Sequence, residues 1–552
     1  LYDYLDENKL KNLISMTEKF LQEIELKRFL CKRDFFSDYI DKNQIQTLMQ
    51  SINSLCLYEL NKVKQNLNLV NEKFADLTPI PDEFNIDYEE AESFAGANLR
   101  NKKVVIFTCS YGNGHKITAA AIEQTLQKAS AHPVIYDLSV GPLLGKDRWR
   151  QLFKLFGIQY GDRPISGVDI FNEILRHQFY FIVNAKDAID AFVRKMLDIS
   201  GKDGVISPLG LWTNSWEKTQ IRELLFIERP DHIITTYHMD LNPILEVAEE
   251  LGIPLLHIPT DYDMKFREVF GKKTTEYPHF KSLVPNYAIE ETLQTQNPLR
   301  SDQLVEKIGI PLRPEFYQFL DREELLSYRR SRGIADDEKI LLISAGGNGQ
   351  NLPHPEHLAN SPTWDLPLRV LVIAGKNRDF ATHLQYNLKS QNGNSCILKG
   401  KNPNVTIEIV TNPDLDKIIP GLEFFIQADQ LSKILDISDA SIAKAGGLSV
   451  AELLFKGVPI VFDLRVNPFS WELFNLNVAI SRQMAISNYY LKNLEQDLKQ
   501  IFEIPKNQNF NFYFESALES FCQCLNDQIH QVESDEGAIS KKGHLILENL
   551  KE

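Results

Sequence analysis

The sequence predicts an α/β protein: two consecutive doubly wound domains facing a cleft, preceded by a helical region. Short apolar, β-rich runs alternate with helical stretches from residue 103 onward. Glycine-rich loops directly follow several of those runs, at residues 112–115, 346–349 and 445–449. Strand, glycine loop, helix is the opening of a doubly wound domain. The chain has 552 residues, three or four domains' worth at roughly 150 residues each.

Residues 1–97 are read as the helical N-terminal region. Leu10, Leu13, Ile14, Phe20, Leu21, Ile24 and Leu26 recur at near-helical spacing, and residues 45–69 repeat the pattern. Residues 76–87 carry two prolines and several acids and read as a linker. A packing cap is the first reading of this region, a surface for a protein partner the second.

Residues 98–315 form the first α/β domain. Lys103–Cys109 is its opening strand and Lys116–Lys128 the helix that follows the loop. Asp169–Leu197 is a long apolar helical stretch. Asp231–Tyr237, Pro243–Leu251 and Pro254–Pro259 repeat strand, helix, strand. The second domain, 316–505, has strands at Lys339–Ser344, Leu368–Ala374, Glu423–Gln427 and Ser441–Lys444. Its helices include Arg322–Arg332 and one starting at Leu431–Leu435, and Val458–Asp463 is expected to end the series. Residues 506–552 hold a last helix, Glu515–Gln531, and a charged tail whose acids (Glu533, Asp535, Glu536) read as a solvated surface or, second, as the export signal of a bacterial effector.

Sixty basic residues against 75 acidic ones give a net charge of -15. That argues against nucleic acid and against bulk attraction to anionic lipid, since both need a positive footprint. Of the six cysteines only Cys522 and Cys524 are close together, which is not a zinc pattern. Sparse thiols fit a reducing, cytoplasmic compartment. No apolar run approaches the roughly 20 residues that span a bilayer. The sequence begins at Leu1 without a Met, so a leader is not judged from it.

The loops carry the chemistry. Glycine lets backbone N–H groups approach a phosphate, and a helix N-terminus adds roughly half a positive charge. Two such loops in the second domain suit a diphosphate, although neither is a Walker A loop nor a full G-x-G-x-x-G fingerprint. Glu452 lies about one turn into the helix after the second loop. A carboxylate there can accept both hydroxyls of a ribose; the plainer reading is a first-turn acid complementing the helix dipole. His115 ends the first loop, where an imidazole with a pKa near 6.5 can act as general base toward the cleft. Asp261-Tyr262-Asp263 follows an apolar strand and reads either as a divalent-metal pair or as an orienting carboxylate at the cleft. No HExxH, paired CxxC or GxSxG motif occurs.

Taken in order, these segments resemble the MurG-like glycosyltransferases, in particular the monogalactosyldiacylglycerol synthase and processive diacylglycerol glucosyltransferase group. The resemblance rests on Gly112-Asn113-Gly114-His115, Pro230-Asp231-His232-Ile233-Ile234, Thr260-Asp261 and the run from Gly309 to Phe316. It continues through Gly346-Gly347-Asn348-Gly349, Ala374-Gly375-Lys376-Asn377, Ser438-Asp439 and the run from Lys444 to Glu452. It covers roughly residues 100–480.

The resemblance implies a GT-B fold of two Rossmann-like domains. It also implies inverting transfer from a UDP-sugar co-substrate, with no required metal. By analogy His115 is the base, and Asp261 joins it as a catalytic residue. Gly346, Gly347, Gly446 and Gly447 with Ser449 hold the diphosphate, Glu452 grips the ribose, the Phe425–Ile426 backbone faces the base and Arg313 sits near the phosphates. Gly114, Asn348, Gly349, Lys444, Glu472 and Asn475 complete the expected donor site; Gly112, Asn113 and His238 face the acceptor. Glu472 and Asn475 fit the family's sugar-contacting stretch, whereas Trp471 and Phe474 depart from it.

The sugar stays open, as does an acceptor that is a lipid, a glycan or a protein. Membrane-acting relatives add a peripheral position on the cytoplasmic membrane face. Other readings of the same scaffold are a sugar-nucleotide epimerase or hydrolase, and an inactive scaffold for a protein partner. An NAD-dependent oxidoreductase is disfavoured by the missing fingerprint and its ribose-binding acid.

Overall fold

The computed structural model describes residues 99–109, 114–138, 159–160, 163–164, 208–237, 241–262, 276–283, 300–305, 310–346, 350, 352–375, 377–391, 393–411, 426–465, 468–469, 472–506, 524–525 and 527–528. These all lie within one unit, Asp82–Asn184 with Val193–Glu552. The expected N-terminal helices, the helix at Asp169–Leu197 and the acidic tail lie outside the described residues.

The first sheet is built from β1 (Lys103–Thr108), β2 (His132–Asp137), β5 (His232–Thr235), β6 (Leu255–His257), β7 (Phe280–Leu283) and β8 (Leu304–Val305). A separate antiparallel pair, β3 (Gln159–Tyr160) and β4 (Arg163–Pro164), falls between them in the chain. The six strands are parallel throughout, in the order β2-β1-β5-β6-β7-β8. In β1 every residue from Val104 to Thr108 is buried. A central parallel strand is covered on both faces, which is why it reads as a continuous apolar run. Helix α1 (Gly114–Lys128) returns the chain to β2. Its buried residues, Thr118, Ala119, Ala121, Ile122, Thr125 and Leu126, form one helical stripe. Helices α2 (Pro208–Glu228) and α3 (Leu241–Leu251) precede and follow β5.

The second sheet has eight strands in the order β11-β12-β13-β10-β9-β14-β15-β16. They are β9 (Lys339–Ser344), β10 (Leu368–Ile373), β11 (Lys389–Gln391), β12 (Asn394–Lys399), β13 (Val405–Ile409), β14 (Ala440–Ala443), β15 (Ile460–Asp463) and β16 (Ala485–Asn488). The strands from β13 through β16 pair in parallel, and β11 and β12 add an antiparallel edge. The helices are α4 (Arg322–Ser331), α5 (His354–Asn360), α6 (Arg378–Asn387), α7 (Ala428–Ile437), α8 (Gly447–Phe455), α9 (Glu472–Ser481) and α10 (Leu494–Ile501). Helix α4 starts in a capping box, Asp321 with Glu324. Helix α8 buries nearly every residue, Glu452 included. One apolar core runs through both domains, from Phe107 and Ile233 to Leu342 and Phe455.

Two expectations change. Val458–Asp463 does not end the series, because β16 adds a further parallel strand beyond β15. Ile426 and Gln427 are not in a strand; they lead into α7. The β12–β13 edge was not anticipated, because both strands (NSCILK and VTIEI) mix polar with apolar residues and carry no continuous apolar run.

Each sheet has a strand flanked by connections running in opposite directions. The chain leaves β1 for β2 on one side and comes back to β5 on the other. It leaves β9 for β10 and comes back to β14 in the same way. Crevices at such switch points, beyond the carboxyl ends of the strands, are where open α/β sheets bind ligands.

Candidate active site

His115 stands at the first switch point, in the first turn of α1 beside the ends of β5 and β6. Its Nδ1 lies 2.7 Å from the Thr236 carbonyl oxygen and 3.0 Å from Thr260 Oγ1. The Thr236 hydroxyl donates in turn to the His115 carbonyl at 3.3 Å. A carbonyl can only accept, so the 2.7 Å contact assigns the ring proton to Nδ1 and leaves the Nε2 lone pair as the basic position. The Tyr237 ring packs edge-on against the imidazole, centroids 5.2 Å apart. Burial lowers the His115 pKa from its ordinary value; the Asp261 charge and the Thr236 carbonyl oppose that shift without cancelling it. The imidazole is therefore neutral near pH 7 and ready to take a proton.

The second switch point supplies the glycine turns. Gly346, after β9, has φ +71°, a conformation that a side chain rarely adopts. Its N–H lies 3.4 Å from Ser344 Oγ. After β14 the chain runs Lys444-Ala445-Gly446-Gly447 into α8, with Ser449 in the helix's first turn. Gly447 is required by close approach: a Cβ there would stand 2.2 Å from the Thr260 carbonyl oxygen and 2.7 Å from Asp261 Oδ1. The two domains thus meet directly at the N-terminus of α8, which packs against α1.

The carboxylates of the site are paired. Glu452 Oε1 accepts from Arg313 Nη2 at 3.0 Å. Burial raises the Glu452 pKa, and Arg313 works against that rise. Arg313 itself packs over the Phe316 ring at 4.9 Å. Glu472 accepts from Lys444 Nζ at 2.8 Å and from the Phe469 N–H at 3.2 Å. Asp261 Oδ1 accepts from the Gly447 N–H at 3.1 Å and from Asn475 Nδ2 at 2.9 Å. Asn475 Nδ2 also donates to the Ala445 carbonyl, while its Oδ1 accepts the Tyr262 N–H at 2.7 Å.

The structure therefore brings His115, Asp261, Gly446, Gly447 and Asn475 to one place, and Arg313 to Glu452. Gly114 starts α1, one residue before His115, and Ile426 is buried just ahead of α7. Gly112, Asn113, His238, Asp263, Gly347, Asn348, Gly349, Phe425 and Trp471 lie outside the described residues. Among the described residues no group of three His, Cys, Asp or Glu side chains is placed to hold a metal. Thr236 was missed, because it acts through its main-chain carbonyl and a side-chain pattern does not reveal that. The one available signal was its position at the end of an apolar strand.

Two Rossmann-like domains meeting across the carboxyl ends of their strands define the GT-B class of fold. Two sequence relatives carry names from the group that the loops resemble. A processive diacylglycerol beta-glucosyltransferase of Bacillus cereus (strain G9842) is 24% identical over 373 residues, 66% of this chain and 76% of that protein. One from Bacillus thuringiensis (strain Al Hakam) is 23% identical over 379 residues, with the same coverage of each chain. Among solved structures, MurG of Acinetobacter baumannii aligns with a TM-score of 0.39 and 14% identity, covering 78% of this chain and 99% of that one. No family model matches the chain.

Proposed function

We propose that this chain is an inverting glycosyltransferase that moves a sugar from a UDP-sugar to an acceptor hydroxyl, with His115 as general base. The observation that carries the reading is the placement of His115. Its Nδ1 is tied to the Thr236 carbonyl, and its ring stands across the domain junction from the glycine turn that opens α8. Nε2 removes the acceptor's proton as the hydroxyl oxygen bonds to the anomeric carbon. The bond from that carbon to the diphosphate breaks on the opposite side, and one displacement inverts the centre. Charge develops on the leaving diphosphate, where N–H groups and the positive end of α8 stabilise it. Glu452, held by Arg313, is buried beyond the first turn of α8, and its carboxylate is the group assigned to the ribose.

The sequence relatives support this reading, since they are named as glucosyltransferases acting on diacylglycerol. A lipid hydroxyl is accordingly the first acceptor to test, with the protein acting peripherally at a membrane face. Among the described residues no helix is long and apolar enough to cross a membrane.

Calorimetric titration with UDP, GDP, ADP, TDP and NAD tests the donor site. UDP alone is expected to bind, and Glu452→Ala to weaken UDP by about tenfold or more, the worth of a buried charge-assisted hydrogen bond. Unchanged affinity in that variant removes Glu452 from the site. Consumption of UDP-sugar at an undiminished rate without any acceptor identifies a hydrolase or epimerase instead.

A further inference from the structure

Two groups expected to bind the donor are already occupied by the other domain. The Gly447 N–H, at the N-terminus of α8, is bonded to the Asp261 carboxylate. Asn475 is fully buried and spends both amide hydrogens and its oxygen on Asp261, Ala445 and Tyr262. Two of those three partners, Asp261 and Tyr262, belong to the first domain. The contact is tight, since any side chain at 447 would collide with Thr260 and Asp261. A carboxylate on a helix N-terminus uses the same chemistry as a phosphate there. Asp261 and a donor diphosphate therefore compete for one position.

We propose that Asp261 is a positioning residue that fills the donor's anion site until the donor evicts it. The diphosphate takes the Gly447 N–H, the Asn475 amide turns to the donor sugar, and the freed carboxylate moves toward His115. This rests on the donor reading above and adds its regulation: the Asp261 carboxylate comes up to the imidazolium that forms at His115 only when the donor is bound. The geometry for that transfer is in place. Thr260, next in the chain to Asp261, already hydrogen-bonds His115 Nδ1. The Asp261 charge also already favours protonated His115.

The test is UDP titration of the full chain by calorimetry, followed by kcat and donor KM, in wild type, Asp261→Asn and Asp261→Glu. A latch closed in about nine-tenths of molecules weakens apparent affinity about tenfold, so Asp261→Asn is expected to bind UDP about ten times more tightly. Donor KM should fall with it while kcat also falls, because the imidazolium formed at His115 loses the carboxylate that stabilises it. Asp261→Glu, which restores the charge, should return UDP affinity toward wild type. A merely structural role predicts the opposite split: weaker UDP, higher KM and a lower melting temperature. Unchanged or weaker UDP binding in Asp261→Asn overturns the latch.

Amide hydrogen exchange of the wild type with and without saturating UDP reads the same event without a variant, because eviction of Asp261 turns Asn475 away from the Tyr262 N–H. If Asp261→Asn does not fold, faster exchange of the Tyr262 N–H with UDP bound supports the latch, and unchanged or greater protection there overturns it. Failure of UDP to bind either the folded wild type or a folded variant overturns the donor reading itself, and the latch with it.

Discussion

Replacing His115 by Ala removes the proposed base, and the fold is expected to survive, because the residue is only partly buried and the ring contact it gives up is the edge-on one with Tyr237. The magnitude follows from its surroundings. Nδ1 is committed to the Thr236 carbonyl at 2.7 Å, so all of the basicity resides on Nε2. Even at the ordinary pKa of about 6.5, about three-quarters of the imidazole is neutral at pH 7. Burial lowers the pKa and raises that fraction further. The wild type therefore works near its full base population at pH 7, and the variant loses nearly the whole contribution. General base catalysis is worth about 10²- to 10⁴-fold, or roughly 3–5 kcal/mol of barrier.

The assay is kcat/KM against pH with UDP-sugar and acceptor. Wild type should show an acidic limb with its midpoint below about 6.5, and His115→Ala should be slower by at least two decades on the general-base scale and lack that limb. Turnover within a few-fold of wild type, or a retained acidic limb, refutes the assignment.

Two further outcomes concern stability. His232 and His354 are fully buried, and burial pushes each pKa down to about 4. Below the ordinary value of about 6.5 the unfolded chain takes up protons that the native imidazoles refuse. Stability is therefore complete above about pH 6.5 and falls as pH drops toward 4, by roughly 3 kcal/mol per histidine. Urea unfolding across that range should show the loss, and His354→Leu should flatten it; an equally steep fall in His354→Leu would show that the loss lies elsewhere. Lys456 is fully buried, with Nζ 2.9 Å from Asp436 and 4.1 Å from the Phe319 ring centroid. Lys456→Met should cost about 3–5 kcal/mol in urea unfolding, because it strands the Asp436 charge, and Lys456→Met with Asp436→Leu should recover much of that cost.

Much of the architecture was legible because central parallel strands are buried on both faces. Lys339–Ser344 was read to the residue, and Lys103–Cys109 and Leu368–Ala374 to within one. Edges were harder. The strand β16 (AISN) is short and half polar, so it carries no apolar run to mark it. The site divides in the same way. Glycine turns after strands and a histidine after a glycine loop are local patterns, and they pointed to His115, Gly446 and Gly447.

By itself, then, the sequence determined the α/β alternation and the residues placed at strand ends, because burial and turn chemistry act between near neighbours in the chain. Only the tertiary structure decided what those residues touch. Thr236 meets His115 from 121 positions away and Arg313 meets Glu452 from 139. Asp261 meets Gly447 from 186 positions away and Asn475 from 214. Such pairings depend on strand order and on the junction of two domains. A strand's own residues carry no record of either, because the same apolar run is satisfied next to any parallel neighbour that buries it.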